Sequence, residues 1–183
     1  MTLLPLPWRW GVLPGILART FAPRDETPVP AWAGKRVFLS RRITTKPGFY
    51  DVGEFPWTYE FQDMIRTRAE FDTGVPLRQV TWMKSSVAGV TEAALNGIRW
   101  MAENDPANVI FSIDNKVEAG NINEVRLQPT LRQLGAHVFT GKSDDASRYL
   151  LKLQRMLIYF LGSYSSGAFA NKMAEVAIGD ELE

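Results

Sequence analysis

The sequence predicts an α/β fold, a mostly parallel sheet flanked by helices, and three observations carry that expectation. Apolar residues cluster over Leu77–Met83 as in a buried strand, and a helical pattern follows to Asn104, with a tight loop between the two. A second short apolar run, N-V-I-F-S-I at 108–113, comes after a helix stop at Asp105-Pro106. The chain closes on M-A-E-V-A-I-G-D-E-L-E, residues 173–183, a strand-like run leading into Asp180-Glu181. Alternation of strand and helix favours parallel pairing through right-handed crossovers.

Taken in order, residues 12–22 have the pattern of a short amphipathic helix, and a breaker-rich stretch, Pro23 to Pro30, follows. Residues 1–31 therefore read as an N-terminal arm, either packed on its own domain or offering a helix to a partner, ahead of one domain over 32–183. In F-P-W-T-Y-E-F-Q-D-M-I-R, 55–66, the spacing of Trp57, Phe61 and Ile65 predicts one buried helical face. Thr91 opens a helix over 92–104 with a small face of Ala93, Ala94, Ile98 and Met101. A longer helix is expected over 117–134 despite Gly120 and Pro129, then a short strand at 137–140. Residues 150–162 predict two strands joined by a turn near Gln154–Met156, the second fully buried. The small, polar S-Y-S-S-G-A-F-A-N-K that follows is a solvated connection or a loop beside a ligand, and Glu175 and Glu183 read as surface charge.

Composition narrows the chemistry. With 183 residues, 45% hydrophobic and 22% charged, the chain suits one soluble domain with its own core. Lys and Arg (21) nearly balance Asp and Glu (20), so net charge is +1 and bulk electrostatics select no partner. The absence of Cys excludes disulfides and thiolate metal sites, and the single His, His137, argues against His-based metal sites or triads. Catalysis falls to carboxylates, Lys, Arg or hydroxyls. Met1–Phe21 lacks a basic leading region and is interrupted by Pro5, Pro7 and Pro14, so neither a signal peptide nor a membrane span is expected, and a cytosolic chain is.

The loop between the first strand and its helix is where phosphate binds in many α/β proteins, because N–H groups at a helix start face an anion. Against the usual G-x-x-x-x-G-K-[ST], the eight residues Lys84, Ser85, Ser86, Val87, Ala88, Gly89, Val90 and Thr91 keep the second Gly and the final hydroxyl. Lys84 replaces the first Gly, and Val90 takes the ordinary Lys position. An ammonium at the strand end can still reach the β and γ phosphates from the other side of the loop. About ninety residues on, an apolar strand ending in Asp-Glu has the Walker B arrangement, with Asp180 directed at Mg²⁺ and Glu181 at the attacking water. Upstream, the amide of Gln62 has the donor and acceptor needed to read adenine, and Tyr59 or Phe61 could stack on the base.

M-K-S-S-V-A-G-V-T-E resembles the deviant Walker A segment of the large terminase subunits of tailed bacteriophages, the lambda-like GpA family, in which the functional Lys also stands at the front of the loop. W-A-G-K-R-V-F-L-S at 32–40, K-P-G-F-Y at 46–50, the aromatic-Gln pair at 61–62, V-R-L-Q-P at 125–129 and V-A-I-G-D-E extend the resemblance over most of the chain, with Arg36 one position early. It implies a P-loop NTPase-like fold of the ASCE type, incomplete at the C-terminus, with the nuclease domain absent. It further implies ATP and Mg²⁺ as cofactors, with Lys84 and Glu181 catalytic, Gln62 and the residues from Lys84 to Thr91 binding nucleotide, and Thr91 and Asp180 on the metal. Its implied partners are double-stranded DNA, a small terminase subunit and the portal of a prohead, on which the full-length protein would oligomerise, in the cytoplasm of an infected or lysogenic bacterium. The alternative is a truncated module that binds protein or DNA without hydrolysis. Arg126 reads either as structural or as a DNA contact.

Overall fold

The computed structural model describes residues 27–65, 79–81, 83, 88–135, 139, 145–164 and 166–180. The helix expected over 12–22 and all of the expected 137–140 strand except Phe139 lie outside them; Phe139 forms an isolated antiparallel bridge to Leu153.

Helix α1, Val29–Arg36, starts with Pro30 in its first turn, where a missing N–H costs nothing, and ends on Lys35 and Arg36, which suit the negative end of a helix. Val29, Pro30, Trp32 and Ala33 are buried. Strands β1, Phe38–Leu39, and β2, Gly48–Phe49, form a small antiparallel hairpin. Two 3₁₀ turns, Val52–Glu54 and Pro56–Thr58, lead into α2, Tyr59–Met64.

Helix α3, Val90–Asn104, is the centre of the molecule. Ten of its residues, Val90 and Ala93 through Met101, are buried, because α1, α2 and α5 (Gln128–Leu134) pack around it. A helix enclosed this way cannot carry a charged face toward its neighbours unless the charges find partners. Gly97 lets α2 approach: a Cβ there would lie 2.5 Å from Ile65 Cγ2. Asp105 caps the helix at the expected place.

The helix expected over 117–134 is one rod from 116 to 134: α4, Lys116–Asn121, a π-helical segment, Ile122–Leu127, and α5. Asn115 caps its start by accepting the Glu118 N–H at 3.0 Å. Pro129 can give no N–H to the preceding turn, and the wider π turn leaves carbonyls there without their ordinary partners. Thr130 Oγ1 meets the carbonyls of Arg126 and Leu127, each at 2.9 Å, and Arg99 Nη2 donates to the Arg126 carbonyl at 3.3 Å.

A four-stranded sheet in the order β4-β5-β3-β6 comprises β3 (Val109–Ile113), β4 (Leu150–Lys152), β5 (Leu157–Gly162) and β6 (Val176–Asp180). Strand β3 runs parallel to both β5 and β6, pairing Phe111 with Phe160 and Ile178, while β4 closes an antiparallel hairpin on β5. The mixed α/β architecture with a mostly parallel sheet is thus present. Phe111 and Phe160 sit in one apolar core with Leu95, Ile98, Leu127 and Leu131.

Three expectations need correction. The described part of the expected Leu77–Met83 strand, residues 79–81 and 83, pairs with no strand, and Met83 is 98% exposed. An apolar pattern makes a strand only where a neighbour takes its backbone groups, and among the described residues none does so; Leu77, Arg78 and Trp82 lie outside them. Strand β5 is not fully buried, since Leu157 and Tyr159 are half-buried. Glu175 is more than surface charge: its carboxylate accepts the Asn108 N–H at 2.5 Å, and with the Glu175 N–H on the Asn108 carbonyl at 3.0 Å it sets the β3-β6 register. Glu183 lies outside the described residues. Among the described residues no helix is long and apolar enough to cross a membrane.

Candidate functional site

The site residues that the structure places together are Ala88, Gly89, Val90 and Thr91 at the start of α3 and Asp180 at the end of β6. Gly89 takes φ +74°, a left-handed turn that glycine adopts without strain, and its bare α-carbon faces the Phe55 ring. A Cβ would lie 2.7 Å from Phe55 Cγ, so the ring and the glycine fix each other. Trp57 Nε1 donates to the Ala88 carbonyl at 3.0 Å, and the Trp57 ring meets Phe55 edge to face with centroids 5.7 Å apart. The F-P-W turn therefore braces the end of the loop. Trp57 itself is 52% exposed, which corrects its expected place on a buried face, while Phe61 and Ile65 do pack against the core. Two 3₁₀ turns ahead of α2 put Trp57 out of helical phase with the other two.

Thr91 projects from the first turn of α3 and its hydroxyl donates to Asp180 Oδ2 at 2.5 Å across 89 residues of sequence. Asp180 is nearly buried, and Ile113 of β3 is its register partner, so the pair lies at the carboxyl end of the parallel strands, where α/β sheets hold ligands. Two oxygens, a hydroxyl and a carboxylate, match the hard donor set of Mg²⁺, which takes its remaining ligands from water and phosphate. Val90 is buried, and its apolar side chain brings no ammonium to the site. Lys84, Ser85, Ser86, Val87 and Glu181 lie outside the described residues.

Gln62 sits behind α3. Its amide nitrogen donates to Tyr50 Oη at 2.8 Å and Thr58 Oγ1 at 3.0 Å, and its oxygen accepts from Asn96 Nδ2 at 3.1 Å. With no exposure, it joins the hairpin, α2 and α3; reading adenine would require it to give these bonds up. Burial drives the Tyr50 hydroxyl above its ordinary pKa, with the hydrogen bonds to Thr58 and Gln62 pulling the other way.

Beside this lies a polar network that the motifs did not announce. The Arg99 guanidinium, fully buried, contacts Glu92 Oε1 and Asn96 Oδ1, both at 2.6 Å, and Thr130 Oγ1 at 2.7 Å. Arg126 Nη1 stands 3.9 Å from the second Glu92 oxygen. Glu92 follows Thr91 directly, so the network ties the first turn of α3 to the π segment. The available signal was the polar series Glu92, Asn96, Arg99 at helical spacing, one stripe on an otherwise apolar helix.

No protein-family model, curated protein or solved structure matches the chain.

Proposed function

We propose that this chain is the ATPase part of a viral DNA-packaging motor, the front of a large terminase subunit whose Mg²⁺-dependent ATP hydrolysis drives double-stranded DNA. The observation that carries the reading is the 2.5 Å contact between the Thr91 hydroxyl and the Asp180 carboxylate. Thr91, the last residue of the deviant loop pattern, and Asp180, at the end of the apolar strand, are in direct contact there, and this supports the reading. The braced turn at Gly89 and the parallel sheet beneath it support the same reading.

In that mechanism Lys84 and the loop N–H groups hold the β and γ phosphates, and Glu181 orients a water for attack. The water oxygen bonds to the γ phosphorus as the bond to the β-γ bridging oxygen breaks. Thr91 and Asp180 would hold Mg²⁺, directly or through water, which would offset the charge on the transferring group. The small terminase subunit, the portal of a prohead and the bacterial host cytoplasm belong to this proposal through the resemblance.

A second reading, a nucleotide-fold module that binds protein or DNA without hydrolysis, draws on Val90 in the usual Lys position and on the Gln62 amide being taken up within the protein. Calorimetric titration with a slowly hydrolysed ATP analogue and Mg²⁺, together with a phosphate-release assay, separates the two. The motor reading expects binding that Lys84→Ala abolishes, and turnover that Asp180→Asn and Glu181→Gln remove. Wild-type hydrolysis by Lys84→Ala would end the deviant-loop idea, and absence of hydrolysis by the folded chain would leave the second reading.

A further inference from the structure

Although net charge is only +1, five of the chain's 21 Lys and Arg residues fall between Lys35 and Lys46, and no Asp or Glu occurs from Gly34 to Tyr50. The structure shows what this basic run builds. Lys35 and Arg36 end α1, and Arg41, Arg42 and Lys46 lie in the 40–47 loop that joins β1 to β2. Arg36 pairs with Glu103, and Lys46 with Glu54 at 3.0 Å. Asp51, the next acid along the chain, turns its carboxylate to the Gly53 N–H at 2.8 Å. Lys35, Arg41 and Arg42 are exposed, and among the described residues their side chains make no ion pair or hydrogen bond.

The hairpin has two faces. Val37 and Tyr50 are buried, joined by the Tyr50 N–H on the Val37 carbonyl at 2.8 Å, and Leu39 packs against the same core. Phe38 and Phe49, paired across the strands, face the other way at 41% and 62% exposure, with ring centroids 5.7 Å apart and planes at 86°. Anchoring is complete without them. Two exposed aromatic rings, near in sequence to three exposed cations with no counter-charge among the described residues, form the pairing that single-stranded nucleic acid uses: cations follow the phosphates and an aromatic face takes an unpaired base. An acidic protein surface would satisfy the cations but leave the rings idle, and a duplex keeps its bases stacked on one another.

We propose that the β1-β2 hairpin, together with the end of α1, binds single-stranded nucleic acid without sequence preference, through Lys35, Arg41 and Arg42 on phosphates and Phe49, with Phe38 behind it, stacked on a base. This stands on the hairpin and the end of α1 and does not depend on whether the chain hydrolyses ATP.

The test is fluorescence anisotropy of the whole chain with a labelled oligothymidine of about 20 nucleotides, long enough to cover one such site, and a duplex of equal length, over a series of salt concentrations. The single strand should bind more tightly than the duplex. Lys35→Ala/Arg41→Ala/Arg42→Ala should lower the slope of log affinity against log salt by about 2, since each phosphate contact on a single strand contributes roughly 0.7. Phe49→Ala should weaken the single strand roughly 5- to 150-fold while hardly changing the duplex. All four side chains are exposed, so both variants should keep the wild-type melting temperature. Salt-independent binding, a triple variant that binds as wild type, or tighter duplex binding that ignores Phe49→Ala would each overturn the proposal.

Discussion

Replacing Glu92 by Gln tests whether the network beside the candidate site holds the domain together. Arg99 has no exposure and Glu92 only 13%, so the pair is screened by little water, and among the described residues the guanidinium contacts no other carboxylate. The amide keeps an oxygen for the 2.6 Å contact with Arg99 Nη1 but removes the charge. Removing one partner of a buried ion pair costs about 3–5 kcal/mol, because the other charge remains desolvated. The retained hydrogen bond sets the expectation at the low end, about 3 kcal/mol. That is a fall in melting temperature of roughly 6–12 °C for a chain of this size. Urea unfolding followed by circular dichroism measures it, with an unchanged slope showing that the unfolded state is the same. Arg99→Met should cost less in the Glu92→Gln variant than in the wild type, with a coupling of roughly 2 kcal/mol, since the buried ion pair is already broken there. A Glu92→Gln variant within about 1 kcal/mol of wild type, or an additive cycle, would refute the assignment of this pair as a dominant electrostatic contact.

Gly89→Ala should destabilise the chain by at least ~1–2 kcal/mol, from the φ of +74° and the 2.7 Å approach to Phe55, and on the proposed ATPase reading it should also weaken nucleotide binding in the calorimetric titration. Trp57→Phe should keep the ring contact with Phe55 but free the Ala88 carbonyl, a loss of about 0.5–1.5 kcal/mol in ordering the loop, read as a several-fold weaker affinity for the ATP analogue. Tyr50 gives a pH signature. Its folded-state pKa lies above the ordinary 10.0, so its contribution to stability is full below pH 10 and falls as pH rises through the folded value. Tyr50→Phe should therefore flatten the alkaline limb of a stability-against-pH curve, while costing about 1 kcal/mol at neutral pH by depriving the Gln62 amide of an acceptor.

The local elements were legible from residue order alone. Helix α3 and its Asp105 stop, the strand at 109–113, the hairpin of β4 and β5 and the strand leading to Asp180 all follow from apolar period and breaker residues, which act over a few neighbours. Even the 116–134 rod was legible through Gly120 and Pro129, although its π turn was not, because the partners that make that turn tolerable, Arg99 and Thr130, come partly from another helix. Thr91 and Asp180 each fell within a motif of the sequence. That the two meet at 2.5 Å was decided by parallel pairing of β6 with β3. Only the packing of distant segments turned Gln62 inward, brought Trp57 to the loop, gave Arg99 its counter-charge and left Phe38, Phe49, Lys35, Arg41 and Arg42 exposed. Each of these depends on which surfaces lose water when those segments meet, and a one-dimensional pattern carries no record of that.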